Sequence, residues 1–183
     1  MASRGPAPLD PVTEFRELYE REYTAVYRAV RAIVVDPAEA EDVTQEAFVK
    51  AYRARHRYQP TAPVGAWLHR IAVNAAISHL RRRRLARLLP VRLYSPPTTA
   101  AGYEAVEARS VVDRALTELS PKLRVVVAMH YGFGYRREEI AELLGIPSGT
   151  VASRLAKALS LLRRSLGDHS AVPERLLDNR ALP

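Results

Sequence analysis

Cysteine is absent from this 183-residue chain. That excludes a disulfide scaffold and a Cys-ligated zinc site. Strand signals are nearly missing, and the valine run Val125 to Val127 lies inside helical periodicity. No apolar run approaches the ~20 residues needed to span a bilayer. Residues 1–11 carry Pro6, Pro8 and Pro11 and lack the apolar segment of a secretory signal. A cytoplasmic location is expected. The five histidines, His56, His69, His79, His130 and His169, show no metal-ligand spacing. No glycine-rich phosphate loop or nucleophile elbow occurs. No catalytic residue, metal or cofactor is therefore expected, and an enzyme is the least favoured class. His69 and His79 read as polar surface residues.

What is present is apolar and basic. Hydrophobic residues make up 48% of the chain, enough for packed cores, and 28 Lys and Arg against 20 Asp and Glu leave a formal charge of +8. Most of the excess is arginine, which forks onto phosphates and base edges. The balance fits a polyanionic partner, although basic proteins without one exist. The periodicity predicts an all-α protein: two small helical domains joined by a flexible linker, the second containing a helix-turn-helix. The expected bounds are a tail at 1–11, a helical body at 12–84, a linker at 85–108, a second body at 109–167 and a tail at 168–183. The linker reading rests on Pro90, Pro96, Pro97 and Gly102, because so long a loop is unusual inside one compact domain.

The first body reads as four helices. Phe15, Leu18, Tyr19, Tyr23, Val26, Tyr27 and Val30 recur at helical spacing. Asp36-Pro37 has the form of an N-cap followed by proline at the first helical position. Ala40, Val43, Ala47, Phe48, Ala51 and Tyr52 then share a face. Pro60 and Pro63 interrupt, and a final helix is expected over 64–84. The second body also reads as four helices, the second of them capped by Ser120-Pro121 and ended by Gly132 and Gly134.

Residues 135–166 carry the most information. A helix from Arg136 to Leu144 is followed by the turn Gly145-Ile146-Pro147, with Ser148 placed to cap the next helix. That helix puts Val151, Leu155, Ala158, Leu159, Leu162 and Leu166 on one side. Thr150, Ser153, Arg154 and Lys157 fall on another. Periodicity alone fits an ordinary helical hairpin. The Gly-Ile-Pro turn and the small polar start favour a recognition helix, whose polar face enters the major groove.

Two further features differ in sign. Arg81-Arg82-Arg83-Arg84 fits a solvated helix end that complements the dipole, or a phosphate clamp. Arg70, Asn74, Ser78 and Arg81 share a face, which suits the clamp. Trp67 reads as a core anchor before a base-stacking platform. From Asp36 to Glu46 there are five acids (Asp36, Glu39, Glu41, Asp42, Glu46) and no base. That stretch fits either a helix with acids near its N-terminus or a docking surface for a basic protein.

At these residues the chain resembles the extracytoplasmic-function group of bacterial RNA polymerase sigma factors. The stretch from Ala38 to Tyr52 resembles the group's polymerase-binding helix. Trp67 to Asn74, running into the arginines, resembles its −10-element helix, and Leu143 to Leu155 its −35 helix-turn-helix. The resemblance implies sigma region 2 at 12–84 and region 4 at 109–167. It implies a polymerase-docking set of Glu39, Asp42, Gln45 and Glu46, meeting a coiled coil of the largest subunit. The loop from Tyr58 to Gly65 and the following helix would hold the melted −10 strand, through Tyr58, Arg70, Asn74, Ser78, Arg81, Arg82 and Arg84. Arg136, Arg137, Ser148, Thr150, Ser153, Arg154 and Lys157 would serve the −35 element. Core polymerase and promoter DNA are the implied partners, with an anti-sigma factor a further one. The chain departs from the group's usual pattern at Ser78, where an Asp is common, at Ala152, where a Lys is common, around Lys157 to Leu159, and at Tyr135 to Arg137, where a Ser or Thr cap is common. Residues 85–108, fully extended, would reach roughly 80 Å. Two turns of DNA are roughly 70 Å.

A stand-alone helix-turn-helix regulator is the competing reading. It accounts for 109–166 and leaves the acidic helix and the arginine block without a role. A sigma mimic that binds no DNA is a third, disfavoured by Arg154 and the arginine run.

Overall fold

The computed structural model describes residues 9–88 and 111–166. Both segments are helical, and no strand occurs among the described residues. The chain divides into two compact units, Met1–His79 and Leu80–Pro183. The tails at 1–8 and 168–183, and the part of the expected linker at 89–108, lie outside the described residues.

In the first unit α1 (Phe15–Val34) and α2 (Pro37–Ala54) form a helical hairpin. The turn between them is two residues long. Val35 takes a left-handed conformation at φ 74°, unusual for a β-branched side chain. Its amide donates to the Arg31 carbonyl, and its own carbonyl accepts from the Arg31 guanidinium. The Val35 side chain is buried, which offsets backbone strain of about 1–3 kcal/mol. Asp36 then caps α2, its carboxylate accepting the Glu39 amide at 3.0 Å, and Pro37 opens the helix. Antiparallel packing follows, with Phe15 against Tyr52 and Tyr19 against Phe48. Leu18, Val26, Ile33, Val43, Ala47 and Leu68 are buried in this core. Tyr52, expected inside, is 49% exposed. It lies at the edge of the apolar face, with the Arg55 guanidinium 3.7 Å over its ring.

A short 3₁₀ turn, Arg55–Arg57, follows α2, and α3 spans Val64–Leu88. The first unit thus holds α1, α2, this turn and α3 as far as His79, rather than four helices, and the last residues of α3 are counted with the second unit. α3 also continues past Arg84. The next residues are Leu, Ala, Arg and Leu, all good helix formers, and the first proline is Pro90.

The second unit contains α4 (Val111–Glu118), α5 (Pro121–Val127), α6 (Arg137–Leu144) and α7 (Ser148–Leu166). α7 packs against α4, α5 and α6. α5 widens into a π turn over Ala128–Gly132, where the Phe133 amide reaches back to the Ala128 carbonyl. Gly134, at φ 75°, turns the chain toward α6. Ile140, Val151, Leu155 and Ala158 are buried and join α6 to α7.

The turn between α6 and α7 depends on Gly145. It is left-handed at φ 62°, and its amide and that of Ile146 satisfy the last carbonyls of α6. A Cβ there would meet nothing within 4 Å, so substitution strains only the backbone. Gly145→Ala is expected to destabilise the second unit by about 1–2 kcal/mol, measured by denaturant unfolding. A change below ~0.3 kcal/mol would mean that the turn relaxes without cost.

Candidate functional site

Three helix faces bring the sequence-predicted residues together. The first is on α2. Its buried side is Ala40, Val43, Thr44, Ala47, Phe48 and Ala51. Opposite lie Asp42, Gln45, Val49 and Arg53, all exposed, with half-buried Glu46 beside them. Glu46 pairs with Lys50 at 2.6 Å. Glu39 and Glu41 sit on the two flanks of this stripe. Glu39 accepts from His79 of α3 at 3.1 Å. Glu41 accepts the Tyr23 hydroxyl of α1 at 2.8 and 3.0 Å and the Gln45 amide at 3.1 Å. Donating to that carboxylate pushes the Tyr23 phenol up to about 12, with burial adding to the effect.

The second face is on α3. Arg70, Asn74, Ser78 and Arg81 are all exposed and recur at spacings of four, four and three, so they form one stripe. Arg82 and Arg84 are exposed beside it. α3 contains no acidic residue, so nothing on the helix neutralises the stripe. Before it, Tyr58 closes the 58–63 loop by donating its hydroxyl to the Ala62 carbonyl at 2.6 Å. The Tyr58 ring packs on Trp67 at 5.4 Å. Trp67 is half-buried and braces this loop; Leu68, Ala72, Ala75 and Ala76 make the core contacts of α3.

His69 and His79 are paired across helices rather than free on the surface, and His79 is half-buried. His69 is largely buried and meets Glu22 of α1 at 3.2 Å. Burial pushes its imidazole below the ordinary value, against the opposing pull of Glu22. Each histidine ties α3 to a carboxylate on a neighbouring helix. Sequence reading missed this because the partners stand 47 and 40 residues away.

The third face is on α7. Ser153 and Lys157 are exposed and Thr150 and Arg154 half-exposed, on the side away from Val151, Leu155 and Ala158. This helix also lacks acidic residues. The Ser153 hydroxyl donates to the Thr150 carbonyl at 3.0 Å. Ser148 is the first helical residue rather than the cap, since the amides of Thr150 and Val151 reach the Pro147 carbonyl. At the start of α6, Arg136 and Arg137 are exposed. An arginine side chain cannot accept a capping bond. Glu139 makes the other half of a capping box, taking the Arg136 amide at 2.7 Å. That bond holds the Glu139 carboxyl below the usual carboxylate range.

Two acid-free helices bearing exposed arginines, one of them in a helix-turn-helix, fit a nucleic-acid-binding protein, and the first turns of α2 add acids of opposite sign, Glu39, Glu41, Asp42 and Glu46. The chain matches the family described as Sigma-70 region 2 over residues 18–86 and Sigma-70, region 4 over residues 109–162. It is 34% identical over 153 residues to the ECF RNA polymerase sigma factor SigM of Mycobacterium tuberculosis, covering 84% of this chain and 77% of that one. It is 32% identical over 171 residues to the RNA polymerase sigma-E factor of Streptomyces coelicolor, covering 93% of both. Among solved structures, CnrH bound to the cytosolic domain of CnrY is similar at TM-score 0.60 and 28% identity, over 83% of this chain and 86% of that one. RpoE of Bartonella quintana, solved with the anti-sigma factor NepR, shares the fold at TM-score 0.67 and 24% identity, over 85% and 98%. The chain belongs to the ECF group of RNA polymerase sigma factors, which bind the polymerase and direct it to promoters. No helix among the described residues is long and apolar enough to cross a membrane.

Proposed function

We propose that the three faces divide the work of initiation among them. The exposed stripe of α2, with Asp42, Gln45, Glu46 and flanking Glu39, docks on core polymerase. Arg70, Asn74, Ser78, Arg81, Arg82 and Arg84, with the loop held by Tyr58, take the −10 element as it melts. Arg136, Arg137, Ser148, Thr150, Ser153, Arg154 and Lys157 serve the −35 duplex. Residues 12–84 then act as region 2 and 109–167 as region 4, with 85–108 between them. The separation of charge carries this reading. α3 and α7 hold no acid, whereas the α2 stripe presents its acids outward. A duplex or single strand favours the first two surfaces, and a basic protein surface favours the third. The factor performs no bond chemistry of its own and works in the cytoplasm beside polymerase and chromosome. An anti-sigma factor is a further partner, as in the complexes of RpoE with NepR.

Run-off transcription with purified bacterial core polymerase on a genomic promoter library tests this. Promoter-specific transcripts that require the protein are expected, sharing one −10 and one −35 sequence. Duplex binding by the protein alone, with no new transcript, would replace this reading with a stand-alone regulator.

A further inference from the structure

Gln45 is the one member of the α2 stripe whose outward chemistry is ambiguous. Its amide has a donor end and an acceptor end. Which end faces a partner depends on what holds the other. Glu41, one turn earlier, settles this. Its carboxylate accepts the Tyr23 hydroxyl at 2.8 and 3.0 Å and Gln45 Nε2 at 3.1 Å. An ionised carboxylate only accepts, so the phenol must donate and Gln45 must turn its NH₂ inward. One of its two N–H donors is thereby used, and its carbonyl is left for a partner. Tyr23 is itself fixed. Its ring lies 5.2 Å from Tyr19, 6.0 Å from Phe48 and 6.3 Å from Tyr27. A packed ring on α1 thus anchors a carboxylate on the flank of α2, and the carboxylate orients an exposed amide.

We propose that Tyr23, acting through Glu41, is a positioning residue for polymerase docking: it holds one Gln45 N–H on Glu41, so that the Gln45 carbonyl is kept for an N–H donor on the partner. This rests on the docking role given above to Gln45. Without the hydroxyl, Glu41 loses its anchor on α1 and Gln45 can present either end. Asp42 and the Glu46–Lys50 ion pair are not members of the Tyr23–Glu41–Gln45 chain of bonds.

Tyr23→Phe removes the hydroxyl and keeps the ring. The Kd for core polymerase, measured by biolayer interferometry, is expected to rise about fivefold, with the melting temperature within a few degrees of the parent. Gln45→Ala is expected to weaken binding by a similar factor, and the double variant Tyr23→Phe with Gln45→Ala to be no weaker than Gln45→Ala alone. Tyr27→Phe, which removes a neighbouring hydroxyl that makes no bond to Glu41, is expected to bind as the parent does. Multiplying losses in the double variant, or a normal Kd for Tyr23→Phe beside a weakened Gln45→Ala, would overturn the positioning role and leave the docking face standing. A normal Kd for Gln45→Ala would remove Gln45 from that face, and this inference with it.

Discussion

Reversing the charge at two positions of α2, Asp42→Arg together with Glu46→Arg, is expected to abolish binding to core polymerase and to leave the fold intact. Asp42 is exposed and Glu46 half-buried beside it, both outside the buried row from Ala40 to Ala51. Glu46 does pair with Lys50 at 2.6 Å. That is a surface pair on one helix, and replacing it by like charges costs only a few tenths of a kcal/mol. At an interface the same reversal acts differently. Two attractive contacts with a basic partner become two repulsive ones in a partly desolvated setting, where like-charge juxtaposition costs several kcal/mol. A loss of about 4 kcal/mol corresponds to roughly a thousandfold in Kd, enough to eliminate co-purification. Circular dichroism melts should differ little from the parent. A double variant that co-purifies normally with polymerase would place the docking surface elsewhere.

How far the sequence announced these surfaces depended on whether the signal was local. Asp36-Pro37 marked the start of α2, and Gly145-Ile146-Pro147 marked the turn of the helix-turn-helix. In each case the backbone demands those residue types at that spot: an acceptor for free amides and a pre-set φ in one, a left-handed conformation in the other. The outward rows of α3 and α7 followed from spacing alone, whereas the set on α2 followed from the family resemblance. Interactions that join distant segments left no such mark. The His69–Glu22 and His79–Glu39 pairs, and the bond from Tyr23 to Glu41, cross between helices, so no periodicity within one helix reveals them. Local rules also failed where burial overrode them. Val35 occupies a left-handed position that favours glycine, because its side chain is needed in the core. The π turn at Ala128–Gly132 lies where simple periodicity predicts a continuing α-helix. At the start of α6, where the group commonly has a Ser or Thr cap, Glu139 three residues on instead accepts the Arg136 amide.

Arg154→Ala is expected to reduce transcription from a cognate promoter by about ten- to a hundredfold and to have no further effect once the −35 sequence is scrambled. The candidate readers on α7 are not equivalent. Ser153 has its hydroxyl proton committed to the Thr150 carbonyl, which leaves it only lone pairs to offer. Thr150 is short and half-exposed. Arg154 and Lys157 are the long donors on this face. A guanidinium forks onto the O6 and N7 of a guanine, worth about 1–3 kcal/mol of discrimination, whereas an ammonium serves a phosphate as a point charge. The two substitutions should therefore differ in kind. Arg154→Ala should relax specificity at one base pair of the −35 element. Lys157→Ala should weaken binding to any sequence and lower the slope of log K against log salt by about 1. The comparison uses paired templates, one with its native −35 element and one scrambled, transcribed with the parent and each variant at several salt concentrations. A loss for Arg154→Ala that is equally large on the scrambled template would show that Arg154 holds backbone or polymerase, and reading of the −35 bases would then pass to other residues of the unit.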